Sequence, residues 1–278
     1  CIFLALLVCC SCNRKSKNGR TATYASGEMI LMCDESFSPI INEELKVFHA
    51  TYPDAKVTPQ YINELDAFNA LKQMKVNLII AARNFRPDEI EYFNSHKLYP
   101  RYFPIGYDGL AFICNNQNTD SCITVENIKR ILSGKVTTWD EVNKGSKLGE
   151  IDVVFDNNKS AAVHYAVDSI LGGVPINSPN ITAVNTSAEV INYVEKTPNS
   201  IGVIGSNWLN DKRDTTNVTF KKNITVMSVS QMEEATEMNS WKPYQLYLLD
   251  GRYAFPRTIY ALLVDPYRGL PQGFANYL

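Results

Sequence analysis

Short apolar runs alternate with segments of helical spacing along most of the chain, and this alternation constrains the fold more than any other feature. Residues 78–82 are apolar at every position, which is typical of a strand buried on both faces. Ile41, Leu45 and Phe48 recur at helical spacing, so one face of that segment is expected to pack inward. The alternation predicts an α/β fold with helices on both faces of its sheets.

Local signals are sharpest in the middle of the chain. Residues 110–113 are apolar and predict a buried strand. Thr124 is expected to cap a helix, because its hydroxyl can accept an unpaired backbone N–H of the first turn, and Gly134 is expected to end that helix. Thr138 and Glu141 have the spacing of a capping box, which predicts the start of a second helix.

Composition excludes several classes of protein. The formal net charge of -2 argues against a nucleic-acid-binding surface and against a polybasic membrane binder. A hydrophobic content of 45% over 278 residues is enough for one large domain or two of ordinary size. Beyond the first few residues, no segment is apolar enough over a sufficient length to span a bilayer.

The cysteines allow two interpretations. Cys114 and Cys122 flank a polar loop that a disulfide can close, whereas Cys33 has no evident partner. Free thiols at all three positions explain the sequence equally well. Outside the N-terminal apolar run, neither a CxxC motif nor a Cys/His spacing typical of zinc is present, so no metal site is expected.

The N-terminus resembles the end of a secretory signal. Residues 1–10 are almost entirely apolar but too few for a spanning helix, and the small residue Ser11 precedes Cys12. The cysteine after such a run is lipidated in bacterial lipoproteins, so Cys12 is the expected lipidation site; a buried N-terminal strand or helix is the alternative. Residues 13–27 are polar and basic, which predicts a flexible tether. Without an initiator Met, and with a helix-like end at residues 273–278, the chain is expected to continue beyond both ends.

Polar turns between predicted strands and helices are the best candidates for a binding site. In α/β folds such turns lie next to helix N-termini, whose free N–H groups and dipole attract anions. The candidate turns are residues 34–38, 82–85, 137–139 and 156–160. Helix capping is the simpler explanation of any single Ser or Thr in them. Arg83 follows an apolar run directly, and its planar guanidinium suits either an oxyanion or a surface ion pair.

Catalytic motifs are missing from the sequence. It contains no GxSxG elbow, no GxxxxGK[ST] loop and no GxGxxG fingerprint. No nucleophile–base pair is visible, so neither an enzyme nor a cofactor is expected.

Three motifs resemble the PstS-like phosphate-binding proteins of bacterial ABC transporters. Residues 104–142 give the strongest match. Residues 198–204, PNSIGVI, are similar to the family's PGAIGYV strand, and residues 253–260, YAFPRTIY, to its YPLSRPLYIY segment. The motifs occur in the family's order, and the resemblance covers roughly residues 28–278. It implies a type II periplasmic-binding-protein fold, with two lobes and a ligand cleft between them.

The resemblance also implies a domain division and a ligand set. The first lobe is expected to comprise residues 28–112 and 225–278, and the second lobe residues 113–224. The expected ligand-binding residues are Glu35, Ser36, Phe37, Ala82, Arg83, Asn157, Asn158 and Ser160.

The chain departs from the family in one binding loop. The family loop commonly has an Arg followed by Ser-Gly-Thr, whereas here Asp156 or Asn157 stands at the Arg position and Ala162 at the Thr position. A buried dianion without that arginine loses a charge-assisted contact worth about 1.5–3 kcal/mol. Arg83 is the residue expected to compensate.

The sequence therefore predicts a non-enzymatic protein that captures inorganic phosphate for an ABC permease. The resemblance implies a monomer, held by a lipid anchor in the bacterial cell envelope, with no nucleic-acid partner. Two alternatives stay open. The altered loop favours another oxyanion or a small organic ligand, and a surface scaffold or sensor of the same fold would bind no ligand.

Overall fold

A computed structural model describes residues 23–211 and 219–278. The predicted lipidation site Cys12 and most of the predicted tether lie outside the described residues. The strands are β1 (Gly27–Asp34), β2 (Ala55–Ile62), β3 (Leu78–Ala81), β4 (Arg101–Cys114), β5 (Cys122–Thr124), β6 (Asp152–Phe155), β7 (Ile181–Ala183), β8 (Ser200–Gly205), β9 (Thr225–Val226), β10 (Ser228–Ser230), β11 (Ser240–Trp241) and β12 (Pro256–Leu263). The helices are α1 (Ser38–Thr51), α2 (Glu64–Lys72), α3 (Pro87–Ser95), α4 (Val125–Leu132), α5 (Trp139–Val142), α6 (Ala161–Tyr165), α7 (Ser187–Lys196), α8 (Gln245–Leu249) and α9 (Leu270–Tyr277).

One long mixed sheet runs through the molecule in the order β2-β1-β3-β12-β4-β8-β6-β7, and β9 also pairs with β4. The strands β1, β2 and β3 are parallel, as are β6, β7 and β8, while β12 and β4 run antiparallel to their neighbours. A small separate sheet has the order β11-β10-β5. The mixed α/β fold predicted from the alternation is therefore confirmed.

Strand β4 divides the sheet into two halves. Residues 101–109 of β4 pair with β12, and residues 110–114 pair with β8. We call β2, β1, β3, β12 and residues 101–109 the first half, and β8, β6, β7, β9 and residues 110–114 the second half. The chain passes from the first half to the second within β4 and returns just before β12.

Each half has its own buried core. Leu31, Phe48 and Phe274 lie in the core of the first half, and Phe112 and Trp139 in that of the second. The core of the second half also contains Met227, Val229, Leu248, Tyr253 and Phe255. The division into lobes stays a prediction, and this packing favours extending the second lobe to residue 255.

The predicted caps in the middle of the chain are confirmed. The Thr124 hydroxyl accepts the Asn127 N–H at 3.0 Å, and Thr138 and Glu141 form a capping box. Gly134 has a φ of 75°, and a Cβ there would lie 2.2 Å from the carbonyl oxygen of Asn177. Glycine at this position therefore ends α4 where no side chain fits.

The three thiols outside the N-terminal region are free. Cys33 and Cys114 are buried and Cys122 is half-buried, so the loop between Cys114 and Cys122 is not closed by a disulfide. Within residues 23–211 and 219–278, no helix combines the length and the hydropathy needed to cross a membrane. The same residues contain no group of three or more His, Cys, Asp or Glu side chains placed to hold a metal ion.

Candidate functional site

Asp34, the last residue of β1, lies fully buried where the two halves meet. One carboxylate oxygen accepts hydrogen bonds from the Ser36 N–H at 3.0 Å and from the Ser36 hydroxyl at 2.5 Å. The other oxygen accepts the N–H of Ala161, the first residue of α6, at 3.1 Å. Ser36 follows β1 in the first half, whereas Ala161 follows β6 in the second. One anionic group therefore gathers donors from both halves of the molecule.

The turn before α6 places the predicted Ser160 at the same site. Ser160 is fully buried and caps α6, because its hydroxyl oxygen accepts the Val163 N–H at 3.3 Å. The Ser160 hydroxyl also hydrogen-bonds to the buried carboxylate of Asp156. Asn157 is half-buried and accepts the Lys159 N–H at 2.8 Å. The site thus contains Ser160 and borders on Asn157.

Asn158 behaves differently from its neighbours in this turn. Its side chain is exposed, so the structure does not bring it together with Ser36 and Ser160. Its role as a ligand residue stays a prediction without support from the geometry.

A buried arginine that sequence reasoning missed lies at this site. Arg257, in β12, is 1% exposed, and its Nε and Nη2 donate to the two carboxylate oxygens of Asp108 at 3.0 and 2.6 Å. Its third nitrogen, Nη1, is buried without any hydrogen-bond partner. The guanidinium carbon lies 5.2 Å from the centre of the Phe37 ring. The only sequence signal was an arginine in the otherwise apolar run that begins β12.

Arg257 stands at the point where the chain crosses between the halves. Its partner Asp108 precedes the crossing in β4, and the Leu110 N–H donates to the Phe255 carbonyl at 2.9 Å between the two crossing segments. Gly205 at the end of β8 faces this ion pair closely, since a Cβ there would lie 2.8 Å from Arg257 Nη2. The crossing point is therefore tightly packed around the guanidinium.

Burial governs the ionisation of this cluster. Burial, together with the nearby carboxylates of Asp156 and Glu64, raises the pKa of Asp34 to about 7. Burial also raises the pKa of Asp156 above its usual value. Burial acts to lower the pKa of Arg257, but Asp108, Asp34 and Asp156 hold that pKa above its usual value. The guanidinium stays charged, and Asp34 is poised to change its protonation near neutral pH.

The predicted residues Glu35 and Phe37 follow Asp34 in a 3₁₀ turn, Glu35–Phe37, that Asp34 caps. Glu35 Oε2 accepts the N–H and the hydroxyl of Ser187, at the start of α7, at 3.0 and 2.7 Å. The Trp208 indole N–H donates to the Ser36 carbonyl at 3.0 Å. These contacts, like that of Asp34, join the first half to the second. Phe37 is fully buried in the core of the first half.

The other predicted pair, Ala82 and Arg83, reaches the site through Glu64. The Ala82 N–H donates to Glu64 Oε2 at 2.7 Å, and Glu64 Oε1 lies 2.9 Å from His164 Nδ1 in α6. Arg83 donates through both Nη atoms to the carboxylate of Glu89 at 2.8 Å each. Its guanidinium carbon also lies 3.5 Å from the centre of the Phe68 ring. The remaining nitrogen of Arg83, Nε, is buried without a hydrogen-bond partner and lies 3.8 Å from Glu64 Oε1. Arg257 is the better placed cation because the carboxylates of Asp34 and Asp156 act on it directly.

The chemistry of the assembled site is that of a receptor for an oxyanion. The Ser36 N–H and hydroxyl, the Ala161 N–H and the free Nη1 of Arg257 are hydrogen-bond donors that an oxyanion needs. Asp34 at present takes the first three of them. The donors come from both sides of two crossing strands, as in proteins that close two lobes around a small solute.

Known proteins share this fold. The PBP superfamily domain matches residues 18–278. A putative phosphate ABC transporter substrate-binding protein from Clostridium perfringens, solved with bound phosphate, aligns with a TM-score of 0.72 and 18% identity over 90% of this chain and 92% of that chain. An ABC-type phosphate transport receptor from Vibrio cholerae aligns with a TM-score of 0.66 and 18% identity over 90% and 93% of the two chains. These structures show that the fold is that of the type II periplasmic binding proteins.

Sequence relatives point in the same direction. The phosphate-binding protein PstS of Borreliella burgdorferi is 23% identical over 242 residues, which are 83% of this chain and 76% of that protein. PstS of Staphylococcus aureus (strain USA300) is 21% identical over 225 residues, 80% of this chain but 64% of that protein. The chain belongs to the PBP superfamily, and the predicted resemblance to PstS-like proteins is confirmed.

Proposed function

We propose that this chain is the solute-binding component of an ABC importer and that it captures inorganic phosphate. The observation that carries the proposal is the Asp34 carboxylate, which holds donors from both halves of the molecule in the way an oxyanion would. The names of the relatives from Borreliella burgdorferi and Staphylococcus aureus, and the phosphate bound in the Clostridium perfringens protein, support phosphate as the solute.

In this mechanism phosphate takes the place of the Asp34 carboxylate. Two of its oxygens accept the Ser36 and Ala161 donors, and a further oxygen accepts the free Nη1 of Arg257. A buried amide, hydroxyl and guanidinium together replace the hydration shell of the anion. Movement of the halves about the two crossing segments opens and closes the site.

The negative charge around this site lowers its affinity for a dianion below what its hydrogen-bond donors alone would give. Asp34, Asp108 and Asp156 surround the buried cation Arg257, so adding a fully ionised phosphate places like charges together in a dry site. Protonation of Asp34 or of the ligand relieves this repulsion. Binding of phosphate is therefore expected to take up a proton.

The same observation favours a second candidate function. Asp34 already accepts the donors of Ser36 and Ala161, and the family's loop arginine is replaced. Another oxyanion is therefore one candidate solute. A small organic solute is the other, because its own hydrogen-bond donors could bind the carboxylates of Asp34, Asp156 and Glu64. A third possibility is a scaffold or sensor of the same fold that binds no solute, because the Asp34 carboxylate always occupies the site.

The cellular setting follows from the same assignment. The relatives named above are substrate-binding proteins rather than enzymes, and we propose that this chain likewise catalyses no reaction. An ABC permease is the partner that a solute-binding component requires. We further propose a monomer in the bacterial cell envelope, with the lipid attached to Cys12.

Titration calorimetry of the full chain at pH 8, where the Asp34 carboxylate is largely ionised before the ligand binds, tests the proposal. Phosphate, sulfate, molybdate and a phosphate monoester are titrated separately, each in two buffers of different ionisation enthalpy so that proton uptake is measured. The proposal predicts saturable binding of phosphate with net proton uptake. Heat from another ligand alone supports the second candidate, and no heat from any ligand at millimolar concentration discards both.

The matched variants separate the site from the rest of the protein. Ser160→Ala removes a buried hydroxyl that holds Asp156 and caps α6, and it is expected to weaken phosphate binding about tenfold. Ser146→Ala, in the loop after α5, is the control and should leave the affinity unchanged. Equal affinities of the two variants would contradict the placement of the site.

A further inference from the structure

The edge of the first half that lies opposite the site collects several chain segments. Strands β1, β2 and β3 are parallel, so their first residues share this edge. Strand β12 ends there and β4 begins there, because Leu263 pairs with both Leu78 and Arg101. Asp34 lies at the far end of β1, roughly 25 Å away at about 3.3 Å per residue. We call this edge the starting edge.

A groove of about 490 Å³ opens at the starting edge, between the loop after α3 and the loop after β12. Three cationic side chains, Lys97, Arg101 and Arg268, line it together with one carboxylate, Asp265. Both oxygens of Asp265 are used by its own turn, since they accept the Tyr267 and Gly269 N–H groups at 2.9 Å each. The groove is therefore basic.

The three cations of the groove outnumber its single carboxylate, Asp265. Within residues 23–211 and 219–278, none of Lys97, Arg101 and Arg268 forms an ion pair. Lys75, in the loop before β3, adds an exposed cation at the same edge. The net charge of the whole chain is -2, yet several unpaired cations lie at this one edge. Positive charge is therefore concentrated at the starting edge.

Exposed aromatic rings accompany these cations. Tyr99 is 76% exposed and Tyr267 62% exposed, and both lie in the loops that form the groove. Tyr102, next to Arg101, is 55% exposed. Tyrosine rings combined with Lys and Arg are typical of protein surfaces at the boundary between membrane and water.

The chain also enters the fold at this edge. Thr23 and Ser26 are hydrogen-bonded to each other immediately before β1. The sequence just upstream, residues 13–22, contains four Lys or Arg and no Asp or Glu. The groove and the segment share a preference for an anionic partner.

We propose that the starting edge rests on the anionic headgroups of a phospholipid bilayer. The cations of the groove then face the negative lipid surface, while the tyrosine rings lie among the headgroups. This orientation keeps the site at Asp34 on the side away from the lipid and open to solute. The proposal concerns a local surface, so it is compatible with the low net charge of the chain.

Sedimentation with vesicles tests the proposal on the full chain. Partitioning is measured on phosphatidylcholine vesicles and on vesicles containing about one third phosphatidylglycerol. Neutral vesicles report any contribution of the apolar residues 1–10. We expect binding to the anionic vesicles to be at least about tenfold stronger than to neutral ones, and to fall towards the neutral value at about 0.5 M salt.

The variant Lys97→Asn, Arg101→Gln, Arg268→Asn removes the charge of the groove. Lys97 and Arg268 have φ angles of 58° and 52°, a backbone conformation that asparagine tolerates. We expect this variant to bind anionic vesicles about tenfold more weakly than the native chain, with unchanged unfolding temperature and unchanged binding to neutral vesicles.

A charge-matched control excludes a general effect of net charge. Lys129→Gln, Lys144→Gln, Lys147→Gln removes three exposed cations of the second half and should change vesicle binding less than twofold. The proposal is overturned if the groove variant binds anionic vesicles as the native chain does, if both triple variants lose binding equally, or if the native chain does not distinguish the two kinds of vesicle. An acidic protein partner would then be the better occupant of the groove.

Discussion

The carboxylate of Asp34 accepts the backbone N–H of Ala161 across 127 residues of sequence, and this hydrogen bond joins the two halves of the molecule at the proposed solute site. The contact uses a donor at a helix start that an oxyanion would otherwise take. The Asp34 carboxylate therefore lies where the relatives suggest that phosphate binds. We expect competition between this carboxylate and phosphate to set the affinity for phosphate.

Asp34→Asn is expected to raise the affinity for phosphate. The change removes a negative charge beside the ligand and leaves one acceptor oxygen where the carboxylate has two, so either the Ser36 donors or the Ala161 N–H become available. We predict an increase of about tenfold at pH 8, measured by titration calorimetry. Asp54→Asn changes an exposed carboxylate at the starting edge and serves as the control. Weaker binding in Asp34→Asn would mean that the carboxylate contacts the ligand itself.

Stability should depend on pH through the same residue. The pKa of Asp34 is about 7 in the folded protein against an ordinary value of 3.8, because of burial and the carboxylates of Asp156 and Glu64. The folded state thus holds a proton more tightly than the unfolded state, and this contribution to stability is complete below pH 3.8 and is lost as the pH rises to 7.

Thermal unfolding from pH 4 to pH 8 measures this dependence. Asparagine does not titrate in this range, so Asp34→Asn should not lose stability in this way. The unfolding temperature of the variant minus that of the native chain should increase as the pH rises to 7 and stay constant above it. Asp54→Asn should follow the native chain throughout. A gap between Asp34→Asn and the native chain that does not vary with pH would contradict the assignment.

The two arginines near the site should respond differently to substitution. Arg83→Gln leaves the buried Glu89 without its partner, which is expected to cost about 1–3 kcal/mol of stability while phosphate affinity stays within about twofold. Arg257→Gln is expected to weaken phosphate binding about ten- to a hundredfold. Chemical denaturation and calorimetry on the same samples separate stability from binding.

Loss of Arg257 also leaves Asp108 buried and unpaired, at a cost of about 3–5 kcal/mol. The double variant Arg257→Gln, Asp108→Asn avoids that unpaired charge and should fold better while still binding phosphate weakly. Strong phosphate binding by the double variant, or loss of phosphate binding in Arg83→Gln, would indicate that Arg83 rather than Arg257 is the cation that binds phosphate.

Gly205→Ala is expected to distort the crossing point. An added Cβ would lie 2.8 Å from Arg257 Nη2, so the substitution should cost about 1–3 kcal/mol and lower phosphate affinity. Gly106→Ala, in β4, meets no atom within 4 Å and is the matched control. Equal unfolding temperatures of the two variants would show that the ion pair has room to move.

Sequence reasoning predicted the local elements well because they depend on nearby residues. The uniformly apolar residues 78–82 became the buried central strand β3, and the hydroxyl of Thr124 caps α4. The same reasoning recognised only residues 110–113 of β4. Residues 101–109 alternate in exposure, contain Pro104, and are held as a strand by pairing with β12, which no local pattern predicts.

The site was predicted in part for the same reason. Ser36 and Ser160 lie in turns between a strand and a helix and were identified from those turns. Arg257 and Asp108 are 149 residues apart, and their pairing arises only when the crossing segments meet. Arg83 was expected to compensate for the missing loop arginine, but its partner Glu89 lies on the next helix, α3, and occupies both Nη atoms.

The most direct measurement is a crystal structure of the protein grown with millimolar phosphate near pH 6. The account predicts one phosphate between the halves, with oxygens within hydrogen-bond distance of the Ser36 and Ala161 N–H groups and of Arg257 Nη1, and with the Asp34 carboxylate displaced from Ala161. An Asp34 that still binds Ala161, with phosphate absent or bound elsewhere, would contradict it.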